Sequence, residues 1–220
     1  TKYKTMKDLG DYRKSYEKSE LLETNIPEDP INLFNKWFHE TEDFGGIDEV
    51  NAMTVSTIGL DGFPKSRVVL LKKFNEEGFI FYTNYNSEKG IAIQNNPHVC
   101  LSFFWPSIER QVIIKGIAEK TSETVSDNYF NSRPDGSKLG AIASPQSQVI
   151  PNRDFLEQNL KQLEKDFDGK EIPRPAFWGG FLVKPQEVEF WQGRPNRLHD
   201  RIRFQFQKDD FSWKIERLSS

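Results

Sequence analysis

Hydrophobic and polar residues alternate with a period of two through several short stretches of the chain, and recur at helical spacing through others. The period-two stretches predict strands over 52–58, 66–71, 79–83, 99–105 and 110–119. Gly59-Leu60-Asp61-Gly62, Asn75-Glu76-Glu77-Gly78 and Pro106-Ser107 mark turns between them, the punctuation of an antiparallel meander. Further strands are predicted over 177–184, 187–192, 198–206 and 211–217. Helical spacing begins at Asp29-Pro30, an N-cap followed by proline at the first helical position. Ile31, Phe34, Trp37 and Phe38 form the apolar stripe, and Gly45-Gly46 ends it. Other helices are predicted over 87–94, 122–131, 137–143 and 152–167, the last with Phe155, Leu156, Leu160, Leu163 and Phe167 on one face. Residues 1–27 are charged and polar and predict a mobile or partly helical arm, leaving 28–220 as a single domain. The C-terminal strands need partners. The simplest closure sets them against the earlier meander, giving a β-rich α+β fold with one β-barrel and helices outside it.

Composition narrows the function. A chain of 220 residues with 36% hydrophobic and 13% aromatic residues can bury a real core. The formal net charge of −3 argues against bulk nucleic-acid binding, so any cationic function must be local. The single Cys100 permits no intrachain disulfide and no zinc-type ligand set, and its apolar setting reads as a small buried side chain. No apolar run is long enough to span a membrane, and no signal-peptide pattern opens the chain. A reducing, cytoplasmic compartment is expected. Neither G-x-G-x-x-G nor G-x-x-x-x-G-K-[ST] occurs, so a bound phosphate would be held by side chains.

Several clusters could do so. The segment Phe190-Trp191-Gln192-Gly193-Arg194-Pro195-Asn196-Arg197-Leu198-His199-Asp200-Arg201 predicts a strand, a turn and a second strand. Alternation in that second strand would set Arg197, His199 and Arg201 on one face and Leu198 on the other. Forked cations, a titratable imidazole and an indole wall suit an anionic ligand with a flat ring. Arg67 and Lys72 bracket Val68-Val69-Leu70-Leu71; they serve either solubility at a strand end or two anions. Tyr82-Thr83 runs into Ser87-Glu88-Lys89, where Ser87 caps a helix whose first amides could meet an anion. Tyr129, Arg133 and Ser137 bring a phenol, a guanidinium and a hydroxyl to one helix–turn–helix, which is also readable as a capped turn with a surface arginine. Gln146-Ser147 lies in a polar loop that is weak evidence alone.

Taken in order and with their spacing, these residues, with Arg110-Gln111-Val112 and Trp178-Gly179-Gly180, resemble the pyridoxine/pyridoxamine 5′-phosphate oxidase family from about residue 29 to the C-terminus. The resemblance implies a split β-barrel of the FMN-binding type. It implies a homodimer with FMN at the subunit interface, each site borrowing residues from both subunits. It assigns Arg67, Val68, Val69, Leu70, Tyr82, Thr83, Lys89, Gln111, Gln146, Ser147, Trp191 and Arg201 to FMN. It assigns Lys72, Tyr129, Arg133, Ser137, Arg197, Leu198 and His199 to the B6 phosphate substrate, with Arg197 and His199 as the catalytic pair. The implied reaction oxidises the 4′ carbon of pyridoxine or pyridoxamine 5′-phosphate: hydride passes to flavin N5, oxygen reoxidises the flavin, and pyridoxal 5′-phosphate, hydrogen peroxide and (from the amine) ammonia result. The chain departs from the family in one place that matters. Glu88 stands where the family has arginine or lysine before Lys89, a carboxylate beside an expected phosphate. A flavin enzyme of other specificity would keep the FMN cluster without needing Tyr129, Arg133, Ser137, Arg197 and His199 together. A non-catalytic flavin or pyridoxal phosphate carrier would share the same donors.

Overall fold

The computed structural model describes residues 9–12 and 14–220. The first helix, α1 (Pro30–Phe44), starts as the sequence predicts: the Asp29 side chain accepts from Ile31 N–H at 2.7 Å, and Gly45 closes it at φ 75°. Then come β1 (Ala52–Ile58), β2 (Pro64–Leu70), β3 (Lys73–Asn75), β4 (Gly78–Asn84), α2 (Glu88–Asn95), β5 (His98–Trp105) and β6 (Arg110–Lys120). The helices α3 (Glu123–Ser132), α4 (Asp135–Ala143) and α5 (Arg153–Asp166) follow, then β7 (Trp178–Gln192), β8 (Asp200–Gln207) and β9 (Ser212–Leu218).

All strand pairs are antiparallel, in the order β2-β1-β5-β6-β7-β4-β3, with β8 and β9 branching from β7. The branch comes from β7. One edge of β7 pairs with β6 along most of its length. The other edge is shared: Trp178–Val183 pairs with β4, and Glu187–Gln192 pairs with β8. The sequence predicts two strands here because Pro185 interrupts the pattern. The chain instead runs through as one 15-residue strand whose register shifts opposite Lys115/Gly116. Pro185 donates no ladder hydrogen bond, and a bulge is where a strand tolerates it. Gly116 is required opposite, since a Cβ there would sit 2.6 Å from the Lys184 carbonyl oxygen.

Inside the curl, alternate residues of the strands point inward. Val99, Leu101, Phe103 and Trp105 meet Val112, Ile114, Val188, Phe190 and Phe204, all buried. Phe34 of α1 plugs the barrel edge-on to Phe74, Phe79 and Phe103, at 5.0–5.1 Å between ring centres. A smaller cluster of Phe130, Leu139, Ile172 and Trp178 seats α3 and α4 outside the barrel; Leu160, Leu163 and Phe167 of α5 and its end pack on it.

Another sequence expectation changes. Residues 197–199 are not strand. Pro195–Arg197 forms a 3-10 turn, Asn196 and Arg197 take φ of 56° and 63°, and β8 begins only at Asp200. Pro195 removes a ladder donor, and asparagine tolerates the left-handed region, so the turn extends further than the alternation suggests. Arg197, His199 and Arg201 therefore do not share a strand face, and Leu198 is exposed rather than inward. In the described part of the arm, Glu23–Asn25 forms a 3-10 helix, Leu21 is buried and its N–H donates to Asp200, and Glu17 and Lys18 N–H donate to Glu109. For 1–8 and 13, the expectation lies outside the described residues.

Candidate active site

The register of β4 on β7 sets Tyr82 opposite Gly180, Thr83 opposite Gly179 and Asn84 opposite Trp178. Trp178, Tyr82 and Tyr129 of α3 then lie as near-parallel rings, Tyr82 and Tyr129 only 3.9 Å apart. Gly180 makes room for this wall, because a Cβ there would approach Tyr82 Cε1 to 2.9 Å. The rings form one side of a cleft of about 590 Å³. Val68, Val69, Leu70 and Lys72 line it from the end of β2, and Thr83 and Lys89 from β4 and α2. Arg133, Ser137 and Gln146 line it from the α3–α4 joint and the loop beyond α4. Twelve of the sequence-predicted residues are thus gathered or flanking here: Tyr82 and Tyr129 in the wall, those nine on the sides, and Arg67 behind Lys89.

The cleft is cationic, and no Asp or Glu is among its described lining residues. Lys89 is buried, and its Nζ lies 3.4 Å from Thr83 Oγ1, which donates on to Gln146 at 3.2 Å. Burial pushes the Lys89 ammonium below its ordinary pKa, and Arg67 nearby lowers it further. Arg67 donates to Thr57 Oγ1 and the Lys65 carbonyl, both at 2.8 Å. Arg133 stacks on the Trp178 ring at 4.7 Å, and burial lowers its pKa too. Its Nη1 is buried with no hydrogen-bond partner among the described residues. Buried donors of this kind ordinarily find an acceptor, and Arg133 is one of the residues that line the cleft. The donor set fits phosphate, and the flat aromatic wall fits a ring beside it.

Glu88 does not enter the cleft. It is exposed and pairs with Lys65 at 2.5 Å. Its charge still acts on Arg67 and Lys89, opposing the lowering of both pKa values. If the cleft holds the FMN phosphate that the resemblance implies, Glu88→Arg should tighten its binding a few-fold, since it replaces a carboxylate near Lys89 and Arg67 with a cation and the surface pair it breaks is worth only about 0–1 kcal/mol. A flavin titration showing unchanged or weaker binding would count against this.

The remaining predicted residues lie elsewhere. Ser147, at φ 72°, borders a neighbouring hollow with Glu88. Gln111, Trp191 and Arg201 stand side by side across β6, β7 and β8. Arg201 is held by a two-pronged pair with Glu189 at 2.7 and 3.2 Å. His199 rests 4.7 Å from the Trp191 ring, and its Nδ1 accepts the Arg194 N–H at 3.0 Å. Burial and the Arg197 charge hold its imidazole below the usual pKa, against an opposing Asp200. The neutral ring therefore carries its proton on Nε2. Arg197 and Leu198 are exposed on the adjoining turn. Gln111 in turn stands opposite Phe104 on β5. Trp191 lies thirteen residues along β7 from Trp178 in the cleft wall, roughly 40 Å of extended strand. None of Gln111, Trp191, Arg197, Leu198, His199 and Arg201 is among the described residues that line the cleft.

Sequence reasoning passed over Trp178 as a packing anchor, and did not reach Tyr16 or Glu109. Trp178 joins the wall only through pairing of β4 with a strand about a hundred residues on, which no local pattern reveals.

The branched sheet and the flanking cleft define a split barrel of the FMN-binding class. A solved structure titled as a pyridoxamine 5′-phosphate oxidase-related, FMN binding protein from Nostoc punctiforme shares this fold, with a TM-score of 0.68 at 15% identity over 89% of this chain and 100% of that one. PhzG from Burkholderia lata 383, solved in complex with tetrahydrophenazine-1-carboxylic acid, matches with a TM-score of 0.84 at 27% identity, covering 93% of this chain and 100% of the other. The family model for pyridoxamine 5′-phosphate oxidase matches residues 39–165, and that for the pyridoxine 5′-phosphate oxidase C-terminal dimerisation region matches 178–220. A pyridoxine/pyridoxamine 5′-phosphate oxidase of Flavobacterium johnsoniae is 80% identical over 215 residues, 98% of this chain and 100% of that protein. The chain belongs to the pyridoxamine 5′-phosphate oxidase family and is an oxidoreductase.

Proposed function

We propose that this chain oxidises pyridoxine 5′-phosphate and pyridoxamine 5′-phosphate to pyridoxal 5′-phosphate, using FMN and oxygen. The observation that carries the reading is the carboxylate-free cleft beside stacked rings, lined by Lys72, Lys89 and an Arg133 whose buried Nη1 has no partner among the described residues. Lys72, Tyr129, Arg133 and Ser137 would hold the substrate phosphate. Each charge-assisted hydrogen bond contributes about 1.5–3 kcal/mol, enough together to anchor a small ligand after association costs. Arg67, Lys89, Gln146 and Ser147 would hold the FMN phosphate, with Val68 to Leu70, Tyr82 and Thr83 alongside. The flavin of FMN supplies the hydride acceptor, with oxygen as terminal acceptor and hydrogen peroxide as its product.

The second set completes the site from a second copy of the chain. Trp191 lies at the far end of β7 from Trp178 in the cleft wall and is not among the cleft's described lining residues. The sheet exposes Val68 and Phe104, at 70% and 56%, as an interface would before it forms. Gln111, Trp191 and Arg201 would then meet the flavin, and Arg197, Leu198 and His199 the substrate, across a homodimer interface. Arg197 offers a fixed cation. His199 offers Nε2–H as a donor, since Nδ1 is taken by Arg194 N–H. That arrangement suits holding the substrate ring in place rather than accepting its proton. The half-buried Cys100, its thiol pKa raised by burial, fits a reducing, cytoplasmic setting.

The test is direct. The purified protein should be yellow and should release peroxide from pyridoxine 5′-phosphate in air. A colourless protein that takes up no added FMN would overturn the reading, and a yellow one without turnover would leave a carrier.

A further inference from the structure

One buried carboxylate has no part in the chemistry above. Glu109 ends the tight turn between β5 and β6, with its side chain 1% exposed. Its backbone sits at φ 60°, a left-handed position that glycine or asparagine occupies more easily. Burying a charge and straining a non-glycine residue are both unfavourable, so the surroundings must favour a carboxylate here.

They do so from one direction. Oε2 accepts the backbone N–H groups of Glu17 and Lys18 at 2.9 and 3.1 Å. Oε1 meets the Lys14 ammonium at 3.0 Å. All these donors belong to the segment 14–18, which crosses the molecule about ninety residues away in sequence. The backbone of Glu109 faces the other way, its carbonyl accepting Gly193 N–H at 2.8 Å. Gly193 begins the turn that carries Arg197 and His199. It is pressed so closely that a Cβ there would come within 2.7 Å of Tyr16 and 3.1 Å of Glu109. Tyr16 in turn stands edge-on to Trp191 at 5.6 Å and to His199 at 5.7 Å.

We propose that Glu109 is a positioning residue: its carboxylate fastens residues 14–18 so that Tyr16 braces the Trp191–His199 pair, while its carbonyl fixes the start of the 193–199 turn. One residue thereby sets the relation between the N-terminal segment and the turn. The link to substrate rests on the function proposed above; the fastening itself does not.

The strained backbone supplies a clean variant. Glu109→Gly removes the carboxylate and relieves the φ of 60° at once, so loss of folding is not its expected outcome. Trypsin should then cut after Lys14 and Lys18 roughly tenfold faster, since local opening exposes them. The kcat/KM for pyridoxine 5′-phosphate should fall roughly tenfold, chiefly through KM, as a ring held less well loses its alignment. The melting temperature should stay near that of the unaltered protein. Glu109→Gln keeps an oxygen for the two amides and should restore most of the protection. Unchanged cleavage in Glu109→Gly would overturn the fastening. Faster cleavage with unchanged KM would overturn the bracing. A fall in melting temperature alongside KM would show a merely structural role and overturn the proposal. If the unaltered protein does not turn over the substrate at all, the functional reading fails, and cleavage still decides the fastening.

Discussion

A heterodimer built from one Arg133→Ala subunit and one Arg197→Ala subunit should regain about half the activity of the unaltered dimer, because two-fold symmetry leaves one of its two sites with both arginines. Each homodimeric variant should be severely impaired. Losing one charged donor to a phosphate or ring substituent costs about 1.5–3 kcal/mol, or roughly 10- to 150-fold in kcat/KM. Both variants should still bind FMN, since neither residue is assigned to it. The rescue follows from geometry: Arg133 lines the cleft, while Arg197 lies on the turn beyond Trp191, outside the hollow of its own chain. Co-expression with two affinity tags yields the mixed dimer for assay. If each site were built within one chain, every site in the mixture would carry a lesion and no activity would return.

Lys89→Met should weaken FMN binding by roughly 10- to 150-fold, the loss of one buried charge-assisted contact. The same change should leave the FMN-free protein as stable as before, or more so. The sign follows from the pKa direction. Burial and Arg67 hold the Lys89 ammonium below its ordinary value, so the charged form is unfavourable in the folded, ligand-free chain. Methionine fills similar space without that cost. Thermal melts with and without FMN would separate the effects: the melting temperature without FMN holds or rises, and the increment on adding FMN shrinks. A large drop without FMN would show that Lys89 supports the fold rather than the anion.

Most of the architecture was legible because its elements are locally marked. The caps Asp29, Ser87, Ser122 and Asn152 stand where the sequence places helix starts, and β1 has the bounds its alternation predicts. Reading failed where long-range pairing overrides local pattern. Pro185 looks like a strand end, yet pairing with β6 carries β7 past it. Residues 197–199 look like a strand, yet Pro195 and Asn196 hold them in a turn. The site divides in the same way. Lys72, Tyr129, Arg133 and Ser137 carry recognisable donor chemistry and do converge. That Trp191 and His199 stand apart from them is a matter of strand order, and strand order is not written in any short stretch of residues.

The continuity of β7 has a further consequence. Trp178, in the cleft wall, and Trp191, beside His199, sit near opposite ends of one hydrogen-bonded rod. Inserting or deleting a residue between them would displace one end relative to the other and flip the facing of everything beyond the lesion. The rod is thus a ruler cut to a single length, and drift toward new substrates has to proceed by swapping the groups mounted at its tips.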